Sequence, residues 1–412
     1  MPCIVRTDKL PTIDMLFGSI IKRRISGSVR EIAGTVYISL AALRAKFVVL
    51  IKLSESEFRT YRTKFVYELF AAQRVDCSVI DRNQSSEHPF HGFSTAYELR
   101  AAHLLVIPDG EVLGTIPLLA DDAGVVISDE FPGRTVTDLA VADAKRSYFV
   151  SPIKSELVCS LVDPFAHNYF HWFLDVLTRL RELEEYEART SGVADLLIPA
   201  WLAPWQESSL KLLAPNRRLI PHKTRHGLFR LRARTLLFPA LSRFLGEGDA
   251  PFAAMDPAAC RWLQNRLRTA LGLQLITRNR RILISRAQAS SRRILNEDLL
   301  FKSLTPLGFE CYCLEGLTFR EQAELFASAT HIVAAHGSGL TNLLFCDDAV
   351  VCELFALEHG VRSEYFQICA ALGHQYHYMI CESESVTNDF FVDIDHVLRL
   401  ITDGTDRSLE SA

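Results

Sequence analysis

The chain is 412 residues long, 49% hydrophobic and 23% charged, which is enough apolar mass for two or three globular domains. A formal net charge of −4 removes any global attraction to nucleic acid or anionic lipid, so an anion site has to be local. Ten cysteines with no CxxC pair, several of them inside apolar runs such as Val350-Val351-Cys352, read as buried thiols of a reducing cytoplasm.

The opening residues, where Pro2, Lys9 and Pro11 flank a short apolar patch, do not read as a secretory signal. The apolar window Ile32 to Leu53 carries Arg44 and Lys46, each costing about 3 kcal/mol at a bilayer centre, and is not expected to span one. The basic cluster Lys22-Arg23-Arg24 offers either a peripheral contact to a membrane surface or, more simply, a solvated turn. Weak helical patterns and the polar linker Asp81 to Pro89 complete residues 1–95, an N-terminal extension with no assignable chemistry.

From Leu104 to Val150 short apolar runs alternate with turn signals at Pro108-Asp109-Gly110 and Pro132-Gly133, predicting a β-rich region. The rhythm then becomes strand and helix. Strands are predicted at 157–162 and 196–198 and near 219 and 236–238, helices at 168–185, 206–213 and 257–271, the last ending at Gly272. This makes residues 96–272 one α/β domain with a β-rich lead-in.

Residues 273–385 form a second, cleaner unit. Strands are predicted at 281–285, 310–314, 332–335, 350–354 and 376–380, and helices at 297–304, 319–329, 340–345 and 364–372. Helices between apolar strands predict parallel pairing with right-handed crossovers, and a ligand crevice at the carboxyl ends of the strands. Residues 386–412 read as a C-terminal helix and tail, the helix at 392–401.

In HIVAAHGSGLTNLLF, residues 331–345, an apolar strand breaks at Gly337 and Gly339 and restarts as a helix. Unpaired N–H groups at such a helix start suit an anion. The pattern is neither a dinucleotide fingerprint nor a P-loop, and a plain packing turn is its other reading. The loop SRAQASSRRILNE, residues 285–297, leaves a neighbouring strand with Arg286, Arg292 and Arg293, whose guanidinium forks fit diphosphate oxygens, or else form a solvated basic loop. Glu353, read as a strand-end carboxylate, is placed to accept bonds from both ribose hydroxyls. The three signals converge on a nucleotide diphosphate.

In the first unit, His167, His171, Asp175 and Arg179 are spaced four apart and would share one face of the predicted helix. His171 and Asp175 read as a general base and its orienting partner, in either order. A metal site on His167, His171 and Asp175 is a second reading, without an HExxH pattern behind it. A capped helix, with His167 and Asn168 satisfying end groups, is the third.

HNYFHWFLDVLTRL, SRAQASSRRILNE and LTFREQAELFASATHIVAAHGSGLTNLLF, in that order, resemble glycosyltransferase family 61, the resemblance running over residues 100–380. The resemblance implies a GT-B-like α/β fold of two Rossmann-like domains facing a cleft, here with an N-terminal extension. It also implies an inverting transferase with no required metal or cofactor, acting in cell-surface or capsular polysaccharide synthesis. Its partners would be a nucleotide-sugar donor, expected to be a UDP-sugar, and a saccharide acceptor; nucleic acid is not among them. Arg286 and Arg292 match the family's donor-phosphate arginines, with Arg293 beside them. His336, Gly337, Ser338, Gly339, Leu340, Thr341 and Asn342 match its donor loop, and Glu321-Gln322 a pair at a helix start. Glu353 completes the expected donor set, while His167 and Asn168 fall on the acceptor side with His171 and Asp175 as the catalytic pair. Ser338 stands where the family commonly has Ala, and Thr178 where it commonly has Pro. The expected location is cytoplasmic, with membrane contact at the inner face as an option. The rival readings are a nucleotide-sugar-binding regulator without transfer activity and a metal-dependent hydrolase.

Overall fold

Strand β7 (Ile153–Ser160) shows how the first sheet is seeded: its outer half is exposed or half-buried, whereas Val158, Cys159 and Ser160 are buried. Such a run needs cover on both faces and partners on both edges. In the computed structural model, which describes residues 63–77, 96–124, 138–224, 227–239, 244–245, 252–384 and 386–402, those partners are β8 (Asp195–Ile198) and β10 (Arg230–Pro239), both parallel to it. The cluster Lys22-Arg23-Arg24, the window Ile32 to Leu53 and the linker Asp81 to Pro89 lie outside the described residues.

Strand β9 (Leu219–Pro221) extends the parallel row, and β4 (Ala102–Pro108) covers the other edge of β10 in antiparallel register, Leu236 opposite Ile107. Strand β1 (Val66–Phe70) pairs with β4, and β5 (Glu111–Leu113) pairs with β10 and β6 (Leu118–Ala120). The β-rich lead-in and the end of the N-terminal extension are thus built into the α/β sheet, because the long apolar edge of β10 requires partners that only these segments supply. β2 (Gln73–Asp76) and β3 (Ala96–Leu99) form a separate hairpin pair, as do β11 (Phe244–Leu245) and β12 (Phe252–Ala253).

The second sheet is wholly parallel. Its strands are β13 (Arg280–Ile284), β14 (Phe309–Tyr312), β15 (Ala329–Ala335), β16 (Val350–Ala356) and β17 (Gln375–Cys381), in the order β14-β13-β15-β16-β17. The order reverses between β13 and β15. In the first sheet it reverses between β7 and β10, since the chain steps outward through β8 and β9 before returning. Loops leaving the carboxyl ends of strands at these two points define the crevices where α/β sheets take ligands.

Helix limits follow the capping chemistry. Pro257–Leu271 starts behind Asp256, whose carboxylate accepts from Ala258 N at 2.8 Å, and stops at Gly272 in the left-handed region. Helices Phe319–Ala327 and Glu364–Leu372 share one continuous apolar core with Pro204–Leu213, Pro257–Leu271 and the helical residues 169–190. Phe173 is its hinge, stacked on Phe319 at 5.8 Å and edge-on to Phe345 at 6.4 Å. On the opposite face of the second sheet, helix Ile394–Thr402 buries Val397 and Ile401 beside Leu300 and Leu304 of helix Glu297–Leu304. The final helix therefore belongs to the second unit's packing and is no free tail. Among the described residues, no helix is long and apolar enough to cross a membrane.

Candidate active site

The turn after β15 and the loop after β13 meet at the reversal of the second sheet. Arg286 leaves β13 held by Glu297, whose carboxylate accepts from Ser285 Oγ and, at 3.2 Å, from Arg286 N. The Arg286 guanidinium then runs directly over Gly337, so close that a Cβ there would overlap Nη1. At Gly339 a side chain would have to displace Leu314 Cδ1, which lies 2.8 Å from the Cβ position. The glycines thus admit a guanidinium and a leucine to the backbone, and neither requires a left-handed φ. Beyond them the chain forms a 3-10 helix, Ser338–Phe345, where an α-helix was expected; Leu340, Thr341 and Asn342 are buried and only Ser338 and Gly339 stay half-exposed.

Arg286 donates to Ser291 O at 3.0 Å, and among the described residues it forms no salt bridge. Its Nε is buried without a hydrogen-bond partner. Arg292 stands beside it at φ 57°, a strained setting for a side chain, its N–H held by Thr387 O at 2.9 Å. Burial lowers the pKa of both, and the charge of Arg286 lowers that of Arg292 further. Two half-buried cations, one lowering the pKa of the other, are what an anion relieves.

Arg293 is placed otherwise. Its Nε and Nη2 donate to Asp389 Oδ2 at 3.0 and 2.6 Å, and its N–H to Oδ1 at 2.8 Å, fastening the loop to the segment before the last helix. The expectation places it on the donor with its neighbours; in the structure a carboxylate 96 residues away pairs with it.

The strand-end placement of Glu353 is corrected. β16 continues to Ala356, so Glu353 lies mid-strand, 0% exposed, and cannot present itself to a ribose. Its Oε1 meets His336 Nδ1 at 2.6 Å and its Oε2 accepts from Tyr376 OH at 2.6 Å. Burial pushes the Glu353 carboxyl well above its usual range and His336 down to about 3. His336 is clasped between Phe355 at 5.2 Å and Tyr365 at 5.4 Å. Asn342 is likewise consumed internally: Nδ2 donates to Gln322 Oε1 and Gly339 O, both at 3.0 Å.

From the first sheet, the segment after β7 delivers the second half of the site. Asp163 accepts from Phe165 N at 2.8 Å, and Asn168 Oδ1 caps the next helix by accepting from Phe170 N at 2.9 Å. His171 Nδ1 lies 2.6 Å from Asp175 Oδ2, with the histidine side chain 31% exposed and the aspartate 6%. Residues Trp172–Leu177 are π-helical, a wider turn that breaks the expected four-residue ladder. Arg179 therefore leaves the polar face: it is buried, paired with Asp163 at 2.6 Å and set over the Phe238 ring. His167 precedes the helix, is exposed, and faces Pro164 O at 3.2 Å. Among the described residues, no group of three or more His, Cys, Asp or Glu gathers to hold a metal.

The two halves touch. Helix Tyr169–His171 packs on Ser338–Phe345, Tyr169 OH donates to Asn342 Oδ1 at 2.7 Å, and Phe170 meets Tyr365 edge-on at 5.8 Å. Tyr365 in turn faces His336. One fold edge thus carries a half-exposed histidine braced by a carboxylate, and beside it a glycine turn with the Arg286 guanidinium over it. Residues 169–352 match the family model for glycosyltransferase 61.

This segment is a glycosyltransferase 61 domain.

The protein is a glycosyltransferase, which implies a sugar donor and an acceptor. No curated relative matches the chain. The glycosyltransferase 61 span starts at Tyr169 and ends at Cys352, so it holds His171, Asp175, Arg286, Arg292 and the glycine turn, while Glu353, Arg362 and Tyr365 follow it. Tyr365, which faces His336 and Phe170 from the first turn of helix Glu364–Leu372, is a site neighbour that no sequence motif marks.

Proposed function

We propose that this glycosyltransferase takes its sugar from a nucleotide diphosphate donor, with UDP-sugars first, and passes it to a saccharide hydroxyl with inversion at the anomeric carbon. The carrying observation is the meeting of the helix that carries His171, braced by Asp175, with the segment Ser338–Phe345 that follows the Arg286-covered Gly337. The arrangement of two Rossmann-like units around a cleft, GT-B-like, agrees with that meeting. Donor diphosphate would lie against Arg286 and Arg292 and the N–H groups of the turn from Gly337 to Gly339, with Leu340 and Thr341 shaping it from behind.

His171 is the base and Asp175 its orienting partner, since the histidine is the more exposed of the two. The acceptor hydroxyl gives its proton to His171 Nε2, its oxygen bonds the anomeric carbon from the face opposite the diphosphate, and the bond to the diphosphate oxygen breaks. The arginines take up the charge of the leaving diphosphate, the work a divalent ion does in other transferases. No cofactor enters the scheme. His167 and Asn168, exposed just before the base, suit the acceptor side. The free thiols of the described cysteines fit a reducing cytoplasm, where nucleotide sugars for surface polysaccharide would be met, with peripheral membrane contact as the finer proposal.

The test is a thermal-shift screen over nucleotide sugars, followed by transfer to a glycan panel and NMR of the product's anomeric configuration. A UDP-sugar that raises the melting temperature and yields an inverted product supports the reading. Retention of configuration, or transfer that survives both H171A and D175N, overturns it.

A further inference from the structure

A polar chain of three side chains crosses the seam between the two sheets beside the site. Tyr169 OH donates to Asn342 Oδ1 at 2.7 Å, Asn342 Nδ2 donates to Gln322 Oε1 at 3.0 Å, and Gln322 Nε2 donates to Leu314 O at 3.0 Å and Leu317 O at 3.1 Å. Asn342 also ties itself to Gly339 O, inside the donor turn. The Tyr169 ring is fixed by Phe173 at 4.8 Å and Trp205 at 5.0 Å.

This bridge starts two residues before His171 and ends on the backbone that supports the glycine turn. Apolar packing of Phe173 against Phe319 and Phe345 would hold the two units together without it, but such contact resists sliding poorly, being non-directional. Hydrogen bonds of fixed length at a buried asparagine do fix register. Burying Asn342 completely costs stability unless every polar atom is engaged, and here each is.

We infer that the Tyr169–Asn342–Gln322 bridge sets the position of His171 relative to the donor turn, making Tyr169, Asn342 and Gln322 positioning residues for acceptor activation; this rests on the proposed role of His171. The bridge explains why Asn342, matched to the family's donor loop, is buried where no donor reaches it. It acts on the transfer step and leaves the arginine contacts to the donor untouched.

The experiment uses full-length enzyme with the UDP-sugar and acceptor found active in the screen. Tyr169→Phe keeps the ring and loses the hydroxyl; Gln322→Met keeps the volume and breaks the far link. Tyr169→Phe is expected to lower transfer kcat by about tenfold to a hundredfold, the scale of an ångström-sized misplacement of a reacting group. The donor KM and the Kd for UDP stay within about twofold, since the arginines are undisturbed. The share of donor lost to hydrolysis rises, because water reaches the donor without a positioned base. Combining both substitutions does no more harm than Tyr169→Phe alone if the bridge acts as one unit. Unchanged kcat in Tyr169→Phe, or a joint fall in kcat, UDP affinity and melting temperature, overturns the inference. Were transfer to survive in H171A and D175N, the base assignment would fail and the inference with it, whereas inactive H171A and D175N beside an unchanged kcat in Tyr169→Phe would overturn the inference alone.

Discussion

Arg286 lies over Gly337 so closely that the glycine's lack of a side chain is what lets the guanidinium reach the turn. Gly337→Ala should therefore act as a donor-binding substitution although it removes no charge. The added methyl displaces Arg286, and the expected result is a rise in donor KM of about tenfold or more, comparable to losing one charge-assisted hydrogen bond. Arg286→Ala and Arg292→Ala should weaken UDP binding at least as much, and Gly337→Ala combined with Arg286→Ala should be no worse than Arg286→Ala alone. Calorimetry with UDP reads all four. Full additivity would show that the alanine acts elsewhere.

The His171–Asp175 pair predicts a different signature. Asp175 sits almost wholly buried, so Asp175→Asn leaves packing intact but offers the imidazole an amide in place of a carboxylate. Transfer should fall by about a hundredfold to ten-thousandfold, the range for loss of general base catalysis, with UDP affinity within about twofold. His171→Ala should match it. A UDP affinity that collapses in either variant would place the pair on the donor instead.

Arg293 and Asp389 carry a prediction about acid stability. The Arg293 side-chain bonds hold the Asp389 carboxyl at about 2, below its ordinary 3.8. A depressed carboxyl contributes stability that is present above the unfolded value and lost as pH falls from about 4 through about 2. Asp389→Asn should thus melt below the native protein at pH 6, and the gap should close as pH drops through that window. Arg293→Ala should behave alike, and neither should change UDP affinity at neutral pH. A gap independent of pH would mean that the ion pair contributes nothing beyond its shape.

Much of this architecture was legible in the chain itself. Helices at Pro257–Leu271 and Glu364–Leu372 match their predicted limits because a capping Asp256 and the left-handed Gly272 and Gly373 mark their ends. The meeting of the arginine loop with the glycine turn followed from parallel topology alone. What stayed hidden was long-range or register-dependent. Glu353 looked like a strand end because a charged residue ordinarily is one, and its partners His336 and Tyr376 lie on neighbouring loops and strands. Arg293 cannot be told from Arg292 without Asp389, which no local pattern connects to it. The π-helical turn at Trp172–Leu177 has no period that a four-residue ladder would reveal, and so Arg179 was placed on the wrong face.

Glu353 separates a ribose contact from a buried brace. A carboxylate on the ribose would lose donor affinity on substitution while the fold stood unchanged. Instead it lies at 0% exposure with one oxygen on His336 and the other on Tyr376, and both partners are themselves buried. Removing one member of such a network leaves the others desolvated and unsatisfied, at a cost of about 3 kcal/mol. Glu353→Leu keeps much of the volume but leaves His336 Nδ1 and the Tyr376 hydroxyl without the carboxyl they share, so it should lower the unfolding free energy in urea by that order. Tyr376→Phe, which strands only one carboxylate oxygen, should cost less, about 1–2 kcal/mol. If Glu353→Leu unfolded at the native urea midpoint while UDP binding was lost, the carboxyl would belong to the donor after all, and β16 would have to end before it.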